Sequence, residues 1–304
     1  MLSEPQRIWT GSWSVASGAS PPLIACGTVR TVVRLTAGGE YLRVRFSDQY
    51  GRTPLTIGAV RVGTKATVKM ALFDGTQNMT LLPGASAVSD AVNLETSANS
   101  DLVISVFYPE QVPQELTLHP DILGAGERNS FIPGNAVDDM NAAVAFVLDA
   151  TYFLAGIEVQ HPASRGTVIA LGDSITDGGA GRWPTLFAQR LLACRRDYGV
   201  LNAGISGNRL LRHDRGFWGQ VPSARERFHR DVLAQPEVRY VILSVGINDV
   251  INANHEPSQG VATCEITESI AALRRCANEH GIKLYTATLT PFEGIATPDF
   301  SKKT

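Results

Sequence analysis

A short apolar, β-branched run, Thr167-Val-Ile-Ala-Leu171, stops at Gly172 and opens at once into the polar loop Asp173-Ser174-Ile175-Thr176-Asp177-Gly178. A run apolar from Val168 to Leu171 without alternation reads as buried on both faces, as parallel strands are, and such strands present reactive residues at their carboxyl ends. Ser174 is the residue so presented. Its surroundings exclude two common loops. A Gly-x-Ser-x-Gly elbow needs Gly where Thr176 stands, and no Gly-Lys-Ser/Thr phosphate loop is present.

After residue 167 strand signals alternate with helical ones. Thr167 to Leu171 is followed by a helix from about Arg182 to Cys194, and Val200 to Asn202 by one from about Val221 to Leu233. Arg239 to Val245 is followed by a helix from about Ala262 to Glu279, and Lys283 to Leu289 closes the series. In the first helix Trp183, Leu186, Phe187 and Leu191 fall on one stripe, and Gly281 stops the last helix. This grammar predicts a doubly wound α/β sheet.

The first 160 residues read differently. Thr31 to Leu35 and Tyr41 to Phe46 are extended runs separated by Gly38-Gly39, a hairpin signal, with Leu42, Val44 and Phe46 on one face and Tyr41, Arg43 and Arg45 on the other. Further short runs lie at Leu55 to Val62, Val68 to Phe73, Ala91 to Leu94, Leu102 to Tyr108, Val144 to Leu148 and Thr151 to Val159. Many short strands without helical periods predict a sandwich or jelly roll. Trp9 and Trp13 are expected to close its core rather than form an aromatic platform for sugars. Gln160 to Gly166, polar and broken by Pro and Gly, is the expected linker, which divides the chain into 1–160 and 167–304.

Charge narrows the partners. With 27 basic and 29 acidic residues and a formal net charge of -2, the chain lacks the basic excess suited to nucleic acid. Cys26, Cys194, Cys264 and Cys276 are scattered without a Cys-x-x-Cys and are expected to be buried thiols. The N-terminus shows no basic start and apolar core of a signal peptide, and no run is long enough to span a bilayer, so the sequence reads as soluble with its compartment open.

Three loops follow three strand signals: Gly172-Asp173-Ser174, then Ala203-Gly204-Ile205-Ser206-Gly207-Asn208-Arg209, then Gly246-Ile247-Asn248-Asp249. A hydroxyl nucleophile, a glycine N–H and a side-chain amide facing one crevice are the parts of an oxyanion hole. Taken singly, Ser174 reads as a helix N-cap, Gly207 as a turn residue and Asn248 as an Asx-turn former. Together and in this order they resemble the SGNH, or GDSL-type, family of serine esterases and lipases, over residues 167 to about 294. The front half further resembles the subgroup with an N-terminal sandwich. The resemblance implies an α/β fold: a jelly-roll-like β-sandwich followed by a flavodoxin-like hydrolase domain. It makes Ser174 the nucleophile, with Gly207 and Asn248 joining the Ser174 N–H at the oxyanion. Asp173 and Asp249 are read as loop-fixing acceptors.

The family takes its base from an Asp-x-x-His motif after the fifth strand, and none occurs in these 304 residues. The expectation is therefore a form lacking the last strand, the triad histidine and the closing helix. Of the six histidines, His213 and His255 follow the second and third loops, but neither has an acid at an orienting spacing; His119 and His161 precede the catalytic half, and His229 and His280 belong to solvated helix surface. In a sheet of order 2-1-3-4-5, Leu284 to Leu289 becomes an unpaired edge open to self-association. The functional expectation is hydrolysis of short acyl or acetyl esters, of small molecules or carbohydrates, through an acyl-serine and with no metal or organic cofactor. The alternative is a catalytically silent module binding a carbohydrate or acyl ligand.

Overall fold

A computed structural model describes residues 8–20, 26–64, 67–110, 116–120, 128–161, 164–178, 182–213, 221–255, 258 and 260–291. Up to residue 161 every helix or strand element of the described residues is a strand. One sheet runs Ile8–Ser14, Leu154–His161, Gly39–Ser47, Val92–Thr96, with Ser86–Val88 also on Gly39–Ser47. A six-stranded sheet runs Phe146–Leu148, Arg128–Pro133, Gly27–Arg34, Asp101–Tyr108, Ala59–Gly63, Val68–Ala71. Leu42, Val44 and Phe46 from the first and Val60, Val62 and Ile104 from the second join one hydrophobic cluster. Burial of that area supplies most of the drive to fold this half.

Two expectations for this half change, and one for the whole chain. The Gly38-Gly39 turn is no hairpin: Gly27–Arg34 pairs within the six-stranded sheet and Gly39–Ser47 within the other, so the turn carries the chain between sheets. Gly38 permits this because a Cβ there would meet the Thr96 carbonyl oxygen at 2.5 Å. The second face of Gly39–Ser47 is not simply wet, since Arg43 and Arg45 both close on buried Glu158. Trp13 is core as expected, and Trp9 lies under the Arg43 guanidinium, 4.2 Å from the ring centroid. Finally, all four cysteines are free, but Cys26, Cys194 and Cys264 are exposed and Cys276 half-buried.

The second half is the doubly wound sheet. Strands β1 (Thr167–Gly172), β2 (Gly199–Gly204), β3 (Val238–Ser244) and β4 (Lys283–Thr286) are parallel in the order β2-β1-β3-β4. The helices are α1 (Ser174–Asp177), α2 (Trp183–Ala193), α3 (Ala224–Phe228), α4 (Ile247–His255) and α5 (Thr263–Glu279), α3 running into a π-helical turn at His229–Leu233. Ile169, Leu171, Val241 and Leu243 pack with Phe228, Val232, Leu273 and Ala277 on one face, while Val168, Val200 and Tyr240 meet Ala188, Phe187 and Leu191 of α2 on the other. The α2 stripe is therefore turned from the expected one: Leu186 is 54% exposed and Pro184 and Ala188 are buried. Gly281, at φ +70°, ends α5 as expected. Among the described residues β4 has β3 as its one neighbour, with Tyr285 54% exposed.

The front half seals the β2 edge. The Gly11 N–H donates to Thr167 Oγ1 at 2.9 Å, the Val200 N–H to Thr36 Oγ1 at 2.9 Å, and a Cβ on Gly199 would lie 1.8 Å from the Gly11 carbonyl oxygen. Ala16 belongs to the core of the second half. No helix of the described residues is long and apolar enough to cross a membrane.

Candidate active site

The first loop is a tight turn made by its own aspartate. Asp173 Oδ1 accepts the Ile175 N–H at 3.0 Å and caps α1, so Ser174 is the first helical residue and not the cap. The Gly178 N–H closes the turn on the Ser174 carbonyl at 2.9 Å, with φ +66° at Gly178. From β2, Asn202 Nδ2 donates to the Thr176 and Asp177 carbonyls at 3.0 and 3.2 Å. Burial raises the Asp173 pKa, against the pull of the Ile175 N–H.

The second and third loops are tied to the first and to each other. The Ile205 N–H donates to the Gly172 carbonyl at 3.2 Å, and Asn208 N–H to the Ile205 carbonyl at 3.0 Å, a turn completed by Gly207 at φ +78°. Gly246, at φ +125°, leads into α4, so Asn248 sits in a first helical turn and not in an Asx turn. Asn248 Nδ2 donates to the Asn208 carbonyl at 3.0 Å. Asp249 accepts the Leu210 and Leu211 N–H groups at 2.7 and 3.0 Å, which makes it the loop-fixing acceptor expected, although burial raises its pKa. Ser174, Gly207 and Asn248 are each half-buried, while Asp173, Asn208 and Asp249 beside them are buried. Each loop thus leaves one of these residues half-exposed and has a buried residue directly before or after it.

Arg227 holds this arrangement from beneath, and sequence reasoning missed it. Its Nε and Nη2 reach Asn208 Oδ1 at 3.0 and 2.9 Å, Nη1 reaches the Ala203 carbonyl and Asp231 Oδ2 at 2.8 Å each, and Nη2 reaches the Gly172 carbonyl at 2.9 Å. All five N–H groups of a guanidinium are then used. Burial lowers the Arg227 pKa, opposed by Asp231; burial would raise Asp231, but Arg230 and Arg227 together bring it below the ordinary range. The one available signal was the Arg227/Asp231 spacing of four, which normally marks an exposed helical pair.

The histidines divide clearly. His213 has the acid its spacing did not reveal: Nε2 lies 2.8 Å from Glu226 Oε1, on a side chain 66% exposed. The His255 side chain lies outside the described residues, and His229 and His280 are exposed as expected. His119 is buried, with Nδ1 2.7 Å from the Ala16 carbonyl and Nε2 3.1 Å from Asp177 Oδ1. Among the described residues no imidazole hydrogen-bonds the Ser174 hydroxyl, and no group of three or more His, Cys, Asp or Glu side chains could hold a metal ion.

Residues 170–303 match the model of the GDSL-like Lipase/Acylhydrolase family. This segment belongs to that family. Ser174, Gly207 and Asn248 all fall inside the matched part of the GDSL-like segment. Solved structures similar to the chain include AlinE4, an SGNH-hydrolase family esterase (16% identity, TM-score 0.34, 45% of this chain and 66% of that one). Another is the psychrotrophic esterase EstA from Pseudoalteromonas sp. (21% identity, TM-score 0.32, 42% of this chain and 63% of that one). A third is the acetyl xylan esterase Est2A from Butyrivibrio proteoclasticus (13% identity, TM-score 0.30, 94% and 79%). The chain thus spans just under two thirds of AlinE4 and EstA. No curated protein matches it.

Proposed function

We propose that the crevice at the carboxyl ends of β1, β2 and β3 is the acylation site of a serine esterase, acting on short acyl groups, acetyl included, on small alcohols or carbohydrates. Ser174 Oγ attacks the ester carbon, and the displaced electron pair settles on the carbonyl oxygen. That oxygen is held by the N–H groups of Ser174 and Gly207 and by the Asn248 amide, each such donor typically worth about 3 kcal/mol. Collapse expels the alcohol, whose oxygen takes up the proton that the Ser174 hydroxyl gives up, and water then cleaves the acyl-serine to the free acid and returns a proton to Ser174 Oγ.

The observation that supports this reading best is the Asn248 Nδ2 bond to the Asn208 carbonyl, which ties the third loop to the residue that follows Gly207. In this reading 1–160 is an accessory β-sandwich, 167–304 is the hydrolase unit, and no cofactor takes part. Phosphonylation is a single-turnover event and tests the nucleophile directly. A fluorophosphonate should label Ser174, and Ser174→Ala should abolish both labelling and hydrolysis of an activated acetate ester. Equal turnover by the variant overturns the proposal, and glycan affinity without labelling replaces it with a binding module.

A further inference from the structure

We infer that His119, on a strand of the front half, is a positioning residue for the second loop of the proposed ester site; the inference rests on that reading. His119 lies on Leu116–Pro120, 6% exposed, and spans the two halves of the chain. Its Nδ1 faces the Ala16 carbonyl at 2.7 Å, and a carbonyl only accepts, so Nδ1 carries a proton. Its Nε2 faces Asp177 Oδ1 at 3.1 Å. Burial alone would raise the Asp177 pKa, but His119 and two bonds from Ser206 bring it below the ordinary range, so this oxygen is an acceptor as well. Both ring nitrogens therefore donate, and the ring is an imidazolium against a buried carboxylate.

The carboxylate is shared between the two loops that matter. Asp177 closes α1 three residues after Ser174, and its Oδ2 accepts both the Ser206 N–H at 3.0 Å and the Ser206 hydroxyl at 2.8 Å. Fixing Ser206 at its amide and its side chain fixes the Ile205–Ser206 peptide plane and the Ser206 Cα, the anchor from which the Ser206–Gly207 peptide and its N–H extend. His119 does this from outside the sheet: it neutralises Asp177 and holds the plane of its carboxylate. With His119 removed, a buried carboxylate keeps only Ser206. It must then take up a proton or turn toward water, and either change releases the Gly207 loop.

The test compares the full chain with His119→Ala, His119→Phe and His119→Gln. Phe fills the space without a donor, and Gln restores one donor toward Asp177. Saturation kinetics of Ser174 labelling by a fluorophosphonate should show a maximal rate about tenfold lower or more for Ala and Phe. Half-saturation should stay within about twofold, with partial recovery in Gln. In parallel, amide exchange read by mass spectrometry should speed up over 204–209 and leave β1 protected. Wild-type labelling rates in both Ala and Phe, or unchanged exchange over 204–209, overturn the role even if thermal stability falls. If the wild-type chain is not labelled at all, the esterase reading fails by itself. The exchange comparison then decides whether His119 holds the loop, and Phe and Gln carry the test should Ala not fold.

Discussion

Arg227 grips Asn208 twice, through Nε and Nη2 on one side-chain oxygen, and Asn208 in turn receives the Asn248 amide on its carbonyl. A guanidinium with no exposed side-chain surface therefore supports the loop on which two of the proposed oxyanion donors meet. Lysine cannot reproduce the fork, and methionine leaves Asp231 with Arg230 as its remaining cation. Arg227→Met should destabilise the chain by about 3–5 kcal/mol, the usual cost of removing one partner from a buried pair. Urea unfolding measures this, and a loss under about 1 kcal/mol would show that the hub contributes geometry without stability.

Asp48 predicts an unusual pH dependence. The residue has no exposed surface, neither carboxylate oxygen has a hydrogen-bond partner, and burial pushes its pKa up to about 7. The native state then keeps a proton that the unfolded chain releases near pH 4, so the stability it contributes is intact below that pH and falls as pH rises toward 7. About three pKa units correspond to roughly 4 kcal/mol. Asp48→Asn should flatten stability between pH 4 and 8 and raise it above pH 7. Denaturant titrations at pH 5 and pH 8 check this, and an unchanged difference between the two would sink the assignment.

The glycine that ends β2 predicts how tightly α1 is seated. A Cβ on Gly204 would lie 2.1 Å from the Asp177 amide nitrogen and 2.6 Å from its Cα, atoms of the backbone that cannot rotate away. Gly204→Ala should push α1 outward, cost about 1–3 kcal/mol as overpacking does, and slow labelling of Ser174. Melting temperature and labelling rate read together test it, and a normal rate in a destabilised variant would mean that Ser174 does not depend on this seat.

These relationships show where sequence is informative. The strand ends at 172, 204 and 244 were legible because parallel strands buried on both faces leave continuous apolar runs, and the loops after them are short. Helix α4 was not, because Ile247-Asn-Asp-Val-Ile-Asn mixes β-branched residues with asparagines, and its start depends on Gly246 adopting φ +125°. Gly38-Gly39 read as a hairpin because turn chemistry is local, whereas sheet membership depends on partners more than sixty residues away, such as Asp101 opposite Arg34 and Gly156 opposite Arg45. His119 and Arg227 stayed hidden for the same reason. Each acquires its role from partners distant in sequence, Asp177 for the first and Gly172 for the second.

Asn248 carries the most direct prediction about chemistry. The Asn208 carbonyl holds one of its amide N–H groups and so fixes the plane in which the second lies, the geometry a preorganised oxyanion donor needs. Asn248→Ala should lose the bond to Asn208, at about 1 kcal/mol of stability, and slow maximal labelling of Ser174 by about 10²–10³-fold with little change in half-saturation. Asn248→Asp preserves shape but sets a carboxylate where negative charge must develop, so its labelling should be slower still at pH 7 and recover as the pH falls through the carboxyl range. Labelling kinetics across pH 4 to 8 separate the two variants. If the Asn248→Asp variant labels as fast as the wild type at pH 7, charge at this position is irrelevant to the reacting oxygen, and the third loop has no part in stabilising it.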